Sequence, residues 1–276
     1  MMSIWDSIVL GVVEGLTEFL PVSSTGHLTI VSKLLGLPID DPSITGYTAV
    51  IQVGAIAAVV LFFWGDIRRI VVAWVRGLAN AEHRTEFDYH MGWYVIAGSL
   101  PIGIIGFLAK DLISGPLRSL WWVAGSLIAW SFVMVAAERF STKERPLTRI
   151  TMRDSVVMGL VQCLALIPGV SRSGATISAG LFRGLDRVAA TRIAFLLGIP
   201  ALLGAGVYEL KDALHGDVGA APLIIGTLVS FGVAYASVAW LLRFVAKHSI
   251  EVFALYRVLL GTVLLVLLTA GTIAAT

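Results

Sequence analysis

Two short stretches of this sequence place polar side chains within otherwise apolar surroundings. The first runs from Glu14 to His27 and carries two carboxylates, several hydroxyls, a proline and an imidazole. The second runs from Pro168 to Thr176 and carries one arginine between two serines. Such groups are costly in an apolar environment and usually mark function. We therefore expect the two stretches to face each other and to form one active centre.

The first stretch contains a pair of carboxylates at helical spacing. Glu14 and Glu18 are four residues apart, so they share one face of a helix. Buried carboxylates must be protonated, paired with a cation or bound to a metal. Three roles fit: ligands for a divalent cation such as Mg²⁺ or Ca²⁺, a general base, or a pair that shares a proton. A helix end that faces water is the simpler alternative.

A serine and a histidine follow the carboxylates. Pro21 predicts a break in the chain, and Ser23 or Ser24 is suited to cap a new helix. Ser24 and His27 lie three residues apart, so one helical turn brings them together. A hydroxyl beside an imidazole is the usual arrangement of an activated nucleophile. The alternative is a capping serine next to a hydrogen-bonded histidine.

The second stretch supplies positive charge. Arg172 lies in an apolar segment and needs an anionic partner there. A guanidinium fork fits two phosphate oxygens at once, and a helix N-terminus favours anions. The alternative is an ion pair with Glu14 or Glu18, and both can hold if the pair opens when a substrate arrives. The flanking serines, Ser171 and Ser173, and the glycine-rich backbone around Gly174 are predicted to complete this phosphate cradle.

The composition indicates that the bilayer is the solvent. Hydrophobic residues make up 57% of the 276 residues and charged residues only 14%, whereas soluble domains carry about 25% charged residues. The net charge of +2 gives no reason to expect a nucleic-acid partner. The single cysteine, Cys163, cannot form an internal disulfide. The N-terminus has no basic region or cleavage site, so we expect mature sequence and not a signal peptide.

Six segments are long and apolar enough to cross a membrane, which takes about 20 residues. Segments 4–27 and 155–178 contain the two polar stretches and do not fit lipid-exposed spans. Broken backbone is tolerated in a membrane only inside protein or a wet cavity, so we predict two re-entrant helical hairpins. The predicted connection 65–91 is a solvated cytoplasmic linker. The predicted spans are 47–64, 92–112, 121–138, 190–208, 220–243 and 252–272.

The basic residues fit this arrangement. Fourteen of the 20 lysines and arginines fall on one side if the spans alternate and both hairpins return to the side from which they enter. That side should be cytoplasmic, with both termini outside. We expect Arg257, near the start of the last span, to reach toward the cytoplasmic face. The other side holds Lys33, Lys110, Arg118 and Lys211.

The two polar segments resemble each other. Asp6-Ser7 matches Asp154-Ser155 at an offset of 148 residues, and Gly11 matches Gly159 at the same offset. Each half then contains one hairpin and three spans. Because three is an odd number, the second half enters the membrane from the opposite side to the first. The sequence predicts an all-α integral membrane protein, one domain over 1–276, with inverted-topology repeats at about 1–140 and 150–276. Because transporters share this trait, a lipid flippase or transporter stays an alternative.

The two polar stretches resemble the two signature motifs of a known family. Residues 14–27, EGLTEFLPVSSTGH, and 168–176, PGVSRSGAT, are similar to those of the bacitracin-resistance type undecaprenyl-diphosphate phosphatases. The likeness covers essentially the whole chain. It implies hydrolysis of undecaprenyl diphosphate to the monophosphate and inorganic phosphate, which recycles the carrier lipid for cell-wall synthesis and confers bacitracin resistance. It also implies a multi-pass protein of the bacterial inner membrane with a site open to the periplasmic side.

The resemblance assigns a role to each matching residue. Ser24 would be the nucleophile, His27 would assist proton transfer or hold phosphate, and Glu18 would act as base or metal ligand with support from Glu14. Arg172 would hold the diphosphate. The other substrate-binding residues would be Ser171, Ser173, Thr176, Ser23, Thr25 and Gly174.

Several properties stay open at this point. The sequence does not decide between a covalent phosphoserine and direct attack by water. It does not fix the metal, the prenyl length or the oligomeric state. Glycines at 198, 204 and 206 permit close helix packing, so a homodimer is one of the open arrangements. The expected partners are a polyprenyl diphosphate and the surrounding membrane lipids.

Overall fold

A computed structural model describes residues 2–38, 42–109, 119–213 and 218–274. Within these ranges the chain is helical, and its β-structure is limited to one isolated bridge between Arg145 and Leu185. Eleven α-helices lie in these ranges. In chain order they are α1 Ile4–Thr17, α2 Ser24–Leu34, α3 Pro42–Phe62, α4 Trp64–Ala79, α5 Phe87–Leu108, α6 Leu120–Phe140, α7 Met152–Gln162, α8 Arg172–Phe182, α9 Arg187–Ala213, α10 Ala220–Val245 and α11 Glu251–Thr269.

Six of these helices are long and apolar enough to cross a membrane, and they coincide with the six predicted spans. Their bounds differ from the prediction by a few residues, as expected where helix ends are read from hydropathy. Lys110, Arg118 and the end of the predicted span 92–112 lie outside the described residues, as does the side chain of Lys211. The six span ranges are Ser43–Phe62, Phe87–Leu108, Leu120–Phe140, Arg187–Gly206, Ala220–Val245 and Glu251–Thr269.

The two polar segments are each a pair of short helices with a break between them. Helices α1 and α7 have 14 and 11 residues, and α2 and α8 have 11 each, so each is shorter than a spanning helix. The starts of α1 and α7, at Ile4 and Met152, differ by the same 148 residues as the starts of α2 and α8. Helices α1 and α7 also begin with equivalent capping boxes, Ser3 with Asp6 and Thr151 with Asp154.

The equivalent helices also pack in equivalent ways. Helix α1 lies against α10, and α7 lies against α5. A Cβ on Gly11 would lie 2.6 Å from the carbonyl oxygen of Gly226, and a Cβ on Gly159 would lie 2.1 Å from that of Gly98. Small residues of this kind let helix backbones approach closely in membranes. The sequence match between positions 11 and 159 therefore corresponds to a shared packing contact.

The connection 65–91 is not the simple linker that we expected. Helix α4 occupies most of it and follows α3 after a single residue. Val71, Val75 and Leu78 are exposed on this helix together with Trp64, while Ile70 and Ala73 are buried. The exposed apolar side chains recur every three or four residues, which is typical of a helix at a membrane surface. The arginines in this stretch masked that pattern and made the segment look like a polar loop.

An ion-pair network fixes the start of the second polar segment. The Asp154 carboxylate is fully buried and accepts hydrogen bonds from Arg145 at 2.6 Å and from Arg183 at 2.7 Å. Burial alone would raise the pKa of Asp154, but the bonds from Arg145, Arg183 and Thr151 outweigh it and hold the pKa at about 2. The same carboxylate caps α7, so one side chain fixes α7 and the end of α8.

Candidate active site

The break in the first polar segment presents Ser24 at the first position of α2. Ser23, the preceding residue, has a φ of 79°, which is rare for a residue with a side chain. Ser171, 148 residues later, has a φ of 76° and precedes Arg172 at the first position of α8. Strain of this kind persists only where the surrounding structure enforces it, and it is found mainly at functional sites. The same turn therefore presents Ser24 in one segment and Arg172 in the other.

Ser24, Glu18 and Arg172 form a chain of contacts between the two segments. The Ser24 hydroxyl donates to Oε2 of Glu18 at 2.6 Å. The Nη2 of Arg172 donates to Oε1 of the same carboxylate at 3.1 Å. The two carboxylate oxygens are thus divided between a hydroxyl and a guanidinium. A nucleophile, its base and a group that orients the base is the arrangement of an activated serine. Of the two partners expected for Arg172, the structure assigns Glu18.

Two donor nitrogens of Arg172 make no hydrogen bond within the described residues. Only 11% of its side chain is exposed. Its Nε and Nη1 atoms are buried and have no hydrogen-bond partner among the described residues. Buried polar atoms are nearly always paired, so two unpaired guanidinium nitrogens require an explanation. Gly198 of α9 makes room for it, because a Cβ there would lie 1.8 Å from Nη1.

The His27 side chain makes its hydrogen bonds to residues other than Ser24. Its Nδ1 lies 2.7 Å from the carbonyl oxygen of Ser23, and its Nε2 lies 2.6 Å from the hydroxyl of Tyr256 on α11. The imidazole and the tyrosine ring are also stacked, with centroids 5.6 Å apart. The spacing of Ser24 and His27 allowed a direct serine–histidine pair, but the structure pairs the serine with Glu18.

The second segment is fixed by its own hydroxyls. The Ser171 hydroxyl accepts from the backbone N–H of Gly174 at 3.2 Å and lies 3.2 Å from the Ser173 hydroxyl. Ser173 donates to the carbonyl of Leu20 at 3.0 Å, which ties the two breaks together. Thr176 donates to the carbonyl of Arg172 at 2.8 Å and is fully buried. Ser173 and Thr176 therefore hold the backbone around the segment that is predicted to form the phosphate cradle.

Arg257 joins both breaks from α11. It was expected to reach toward the cytoplasmic face, but its side chain is fully buried. Its Nη1 donates to the carbonyl of Pro21 at 3.3 Å, and its Nη2 donates to that of Gly169 at 2.8 Å. Further bonds reach the Ser131 hydroxyl and the Ser126 carbonyl, at 3.3 and 3.5 Å. All four acceptors are neutral oxygens, so a buried positive charge lies between the two turns.

The other residues predicted for the active site differ in how deeply they are buried. Glu14 is 1% exposed and lies one turn before Glu18 on α1. Ser23 is buried and caps α2 without a side-chain hydrogen bond, whereas Thr25 is exposed. Within the described ranges, no three His, Cys, Asp or Glu side chains are grouped as metal ligands. The two carboxylates at Glu14 and Glu18 are the predicted ligand pair, and with oxygens of a substrate they match the donor set that Mg²⁺ accepts.

Three contributors to the site were not identified from the sequence. Tyr256 contacts His27, and Gly198 lies against Arg172. Ser131 contacts Arg257. In each case the two residues come from helices that are far apart in the chain. The polar Tyr256-Arg257 pair within an apolar span was the one available signal. Its partners depend on which helices pack together, and hydropathy does not give that information.

Comparison with known proteins places the chain. The family model described as "Bacitracin resistance protein BacA" matches residues 7–263. The chain belongs to this family. It is 56% identical over 274 residues to "Undecaprenyl-diphosphatase 1" of Frankia alni, a match that covers 99% of each chain. It is 57% identical over 272 residues to "Undecaprenyl-diphosphatase 1" of Streptomyces coelicolor, covering 98% of each chain.

A more distant relative supports the same placement. "Undecaprenyl-diphosphatase" of Corynebacterium diphtheriae is 52% identical over 274 residues, which is 98% of this chain and 96% of that protein. The resemblance that the two motifs indicated is thereby confirmed over the full length of the BacA-family chain. Together with its six apolar helices, this membership makes the chain a multi-pass membrane protein.

Proposed function

We propose that this BacA-family chain is an undecaprenyl-diphosphatase, which hydrolyses undecaprenyl diphosphate to undecaprenyl phosphate and inorganic phosphate. Relatives that are more than half identical over nearly their whole length carry this name. The activity would recycle the carrier lipid for cell-wall synthesis, and bacitracin resistance would follow from it. A lipid flippase remains the alternative, but none of the named relatives supports it.

The observation that carries the proposal is the pair of unpaired donor nitrogens of Arg172. Its Nε and Nη1 atoms are buried and lack partners among the described residues, while Nη2 is held by Glu18. Each of these two nitrogens forms a fork with Nη2, so a phosphate group that takes Nη2 over from Glu18 could accept two parallel hydrogen bonds. The Ser24 hydroxyl is bonded to the same carboxylate. A terminal phosphate bound by Arg172 would therefore lie close to a serine that is already paired with a base.

The geometry supports attack by Ser24 with Glu18 as base. Oγ of Ser24 would form a bond to the terminal phosphorus while its proton passes to Oε2 of Glu18. The bond between that phosphorus and the bridging oxygen would break, and undecaprenyl phosphate would leave. Arg172 would offset the negative charge on the phosphoryl oxygens. Phosphoryl transfer depends mainly on positioning and charge stabilisation, and this arrangement supplies both.

Water would complete the cycle by attacking the phosphoserine. Ser24 would recover its proton from Glu18, and inorganic phosphate would leave with the oxygen of the water. In the alternative, Glu14 and Glu18 would activate water directly and no phosphoserine would form. The 2.6 Å bond between Ser24 and Glu18 favours the covalent route. The ring nitrogens of His27 are bonded to Ser23 and Tyr256 and not to Ser24, so we assign His27 a role in holding the turn or the substrate.

We also propose that Glu14 and Glu18 hold a divalent cation, Mg²⁺ or Ca²⁺, with oxygens of the diphosphate. Such a cation neutralises phosphate charge when it is bound. Both oxygens of Glu18 are hydrogen-bonded here, so a cation would use the remaining lone pairs of these oxygens. The other predicted substrate contacts remain part of this proposal: Ser23, Thr25, Ser171, Ser173, Gly174 and Thr176.

We further propose that the two broken segments are re-entrant hairpins of an inverted-topology repeat. Three observations support this interpretation: the helix starts differ by equal offsets, α1 and α7 begin with equivalent capping boxes, and Ser23 and Ser171 have matching positive φ values. Sites in such folds lie where the broken helices meet. As the resemblance to this family implies, the chain would lie in the inner membrane with this site open to the periplasmic side, and by the charge argument both termini would lie outside. The prenyl chain would then lie between the spans.

The test is phosphate release from undecaprenyl diphosphate by purified protein in detergent. This assay detects hydrolysis and, unlike a test of transport, needs no second compartment. Ser24→Ala should fold normally and lose turnover, and Thr29→Ala on the same helix, whose hydroxyl donates to the carbonyl of Thr25, serves as the comparison. Brief reaction with substrate labelled in the terminal phosphate should leave label on Ser24. Full activity in Ser24→Ala would overturn the nucleophile assignment, and an inactive wild type would overturn the proposed function itself.

A further inference from the structure

We propose that Tyr256 is a positioning residue for this reaction and acts through His27 on the turn that presents Ser24. This inference rests on the proposed function, because it concerns the geometry of the proposed nucleophile. Tyr256 lies on α11, which belongs to neither broken segment. It is one residue before Arg257, and the two side chains reach different groups of the first break.

The hydrogen bonds of His27 indicate which of its ring nitrogens carries a hydrogen. The carbonyl oxygen of Ser23 only accepts hydrogen bonds, so Nδ1 of His27, 2.7 Å away, carries a hydrogen. In the neutral ring Nε2 is then an acceptor, and the Tyr256 hydroxyl donates to it at 2.6 Å. Tyr256 thereby selects the tautomer in which Nδ1 holds the Ser23 carbonyl.

The position of that carbonyl explains why the tautomer matters. It belongs to Ser23, whose φ of 79° is strained and which directly precedes Ser24. A strained residue relaxes unless neighbouring contacts hold it. Arg257 holds the carbonyl of Pro21, two residues earlier, at 3.3 Å. The adjacent residues of α11 therefore secure the turn at both ends, one directly and one through His27.

The ring of Tyr256 contributes a second constraint. It stacks on the imidazole with an interplanar angle of 14°. A stacked ring limits rotation of His27 about its side-chain bonds, and the hydroxyl fixes which nitrogen faces which partner. Removing the hydroxyl alone therefore separates the two effects, because a phenylalanine keeps the stacking.

The first experiment compares Tyr256→Phe with Tyr235→Phe in the phosphate-release assay. Tyr235 is a matched control, since it is 41% exposed against 45% for Tyr256 and also packs on an aromatic ring, that of Phe62. Loss of one neutral hydrogen bond predicts about a tenfold fall in kcat. The KM should stay within about twofold, because Tyr256 is assigned no contact with the substrate. Unchanged kcat in Tyr256→Phe would overturn the proposal.

A double-mutant cycle tests whether Tyr256 acts through His27. In His27→Asn the amide nitrogen can still donate to the Ser23 carbonyl, but the position of Nε2 is lost. Tyr256→Phe should then cause no further loss in that background. Losses that multiply would mean that Tyr256 acts independently of His27, and the proposal would be wrong.

A readout independent of turnover is the ¹⁵N shift of the His27 ring nitrogens, assigned from the signal that His27→Asn removes. Tyr256→Phe should move the Nε2 signal, whereas Tyr235→Phe should leave it in place. An unmoved signal would contradict the contact itself. Ser24→Ala separates the two levels of the argument: if it abolishes turnover while Tyr256→Phe does not lower kcat, the site assignment survives and this inference fails.

Discussion

Gly198 offers a sharp test of the site, because a single methyl group there should displace Arg172 without disturbing the fold. An added Cβ would lie 1.8 Å from Nη1 and 2.8 Å from Cζ of Arg172. Atoms not bonded to each other stay about 3.5 Å apart or more, so the guanidinium must move by more than ~1.5 Å. The bond from Arg172 to Glu18 is already 3.1 Å long and would break.

The expected loss follows from that displacement. A misplacement of about 1 Å in a reacting constellation costs roughly 100-fold in rate, or about 2.7 kcal/mol. Gly198→Ala should therefore lower kcat at least 100-fold and raise the KM. The end of an arginine side chain moves readily, and alanine favours a helix interior over glycine by about 1 kcal/mol. We therefore expect the thermal unfolding temperature to change little.

The control is Gly204→Ala on the same helix, where an added Cβ meets nothing within 4 Å. It should retain full phosphate release and normal unfolding. The comparison is made with purified protein in detergent over a range of undecaprenyl diphosphate concentrations. If Gly198→Ala has the kcat and KM of the wild type, Arg172 does not hold the substrate in the place that this structure gives it.

Three further predictions concern charge. Arg172→Lys should lose most phosphate release, because an ammonium group lacks the fork; activity within a few-fold of the wild type would contradict the cradle. Chelation should abolish turnover, and Mg²⁺ or Ca²⁺ should restore it, if Glu14 and Glu18 hold a cation; activity unaffected by chelator would exclude that role. The pKa of about 2 for Asp154 lies below the usual 3.8, so its stabilisation is complete above about pH 4 and lost toward pH 2. Asp154→Asn should flatten that part of the unfolding profile, and an unchanged profile would contradict the pairing.

The sequence predicted those parts of the fold that depend on one segment at a time. The six spans follow from apolar runs, and the breaks before Ser24 and Arg172 follow from proline, glycine and serine clusters. The pairing of Arg172 with a glutamate was one of two expected arrangements, because a buried guanidinium needs an anion. Helix α4 was missed because the apolar stripe through Val71 and Val75 is interrupted by arginines.

Contacts between distant segments could not be predicted in the same way. Tyr256 and His27 are 229 residues apart, and their contact exists because α11 packs beside both breaks. Arg257 was expected to reach the cytoplasmic face because it has a long side chain and lies near the start of the last span. The structure instead satisfies it with neutral oxygens from the turns of both halves. Such contacts follow from the packing of the whole bundle and are not encoded in local spacing.

The shared use of Glu18 links the resting site to the proposed reaction. In the resting site its charge compensates the buried Arg172 and accepts the hydrogen bond of Ser24. In the proposed reaction, Glu18 would become neutral when it takes the serine proton, and its attraction for Arg172 would weaken at that moment. The guanidinium charge would then be available to the phosphoryl oxygens as Ser24 attacks. Placing the acid on one half and the arginine on the other would therefore let a single proton transfer direct the arginine from the carboxylate to the substrate.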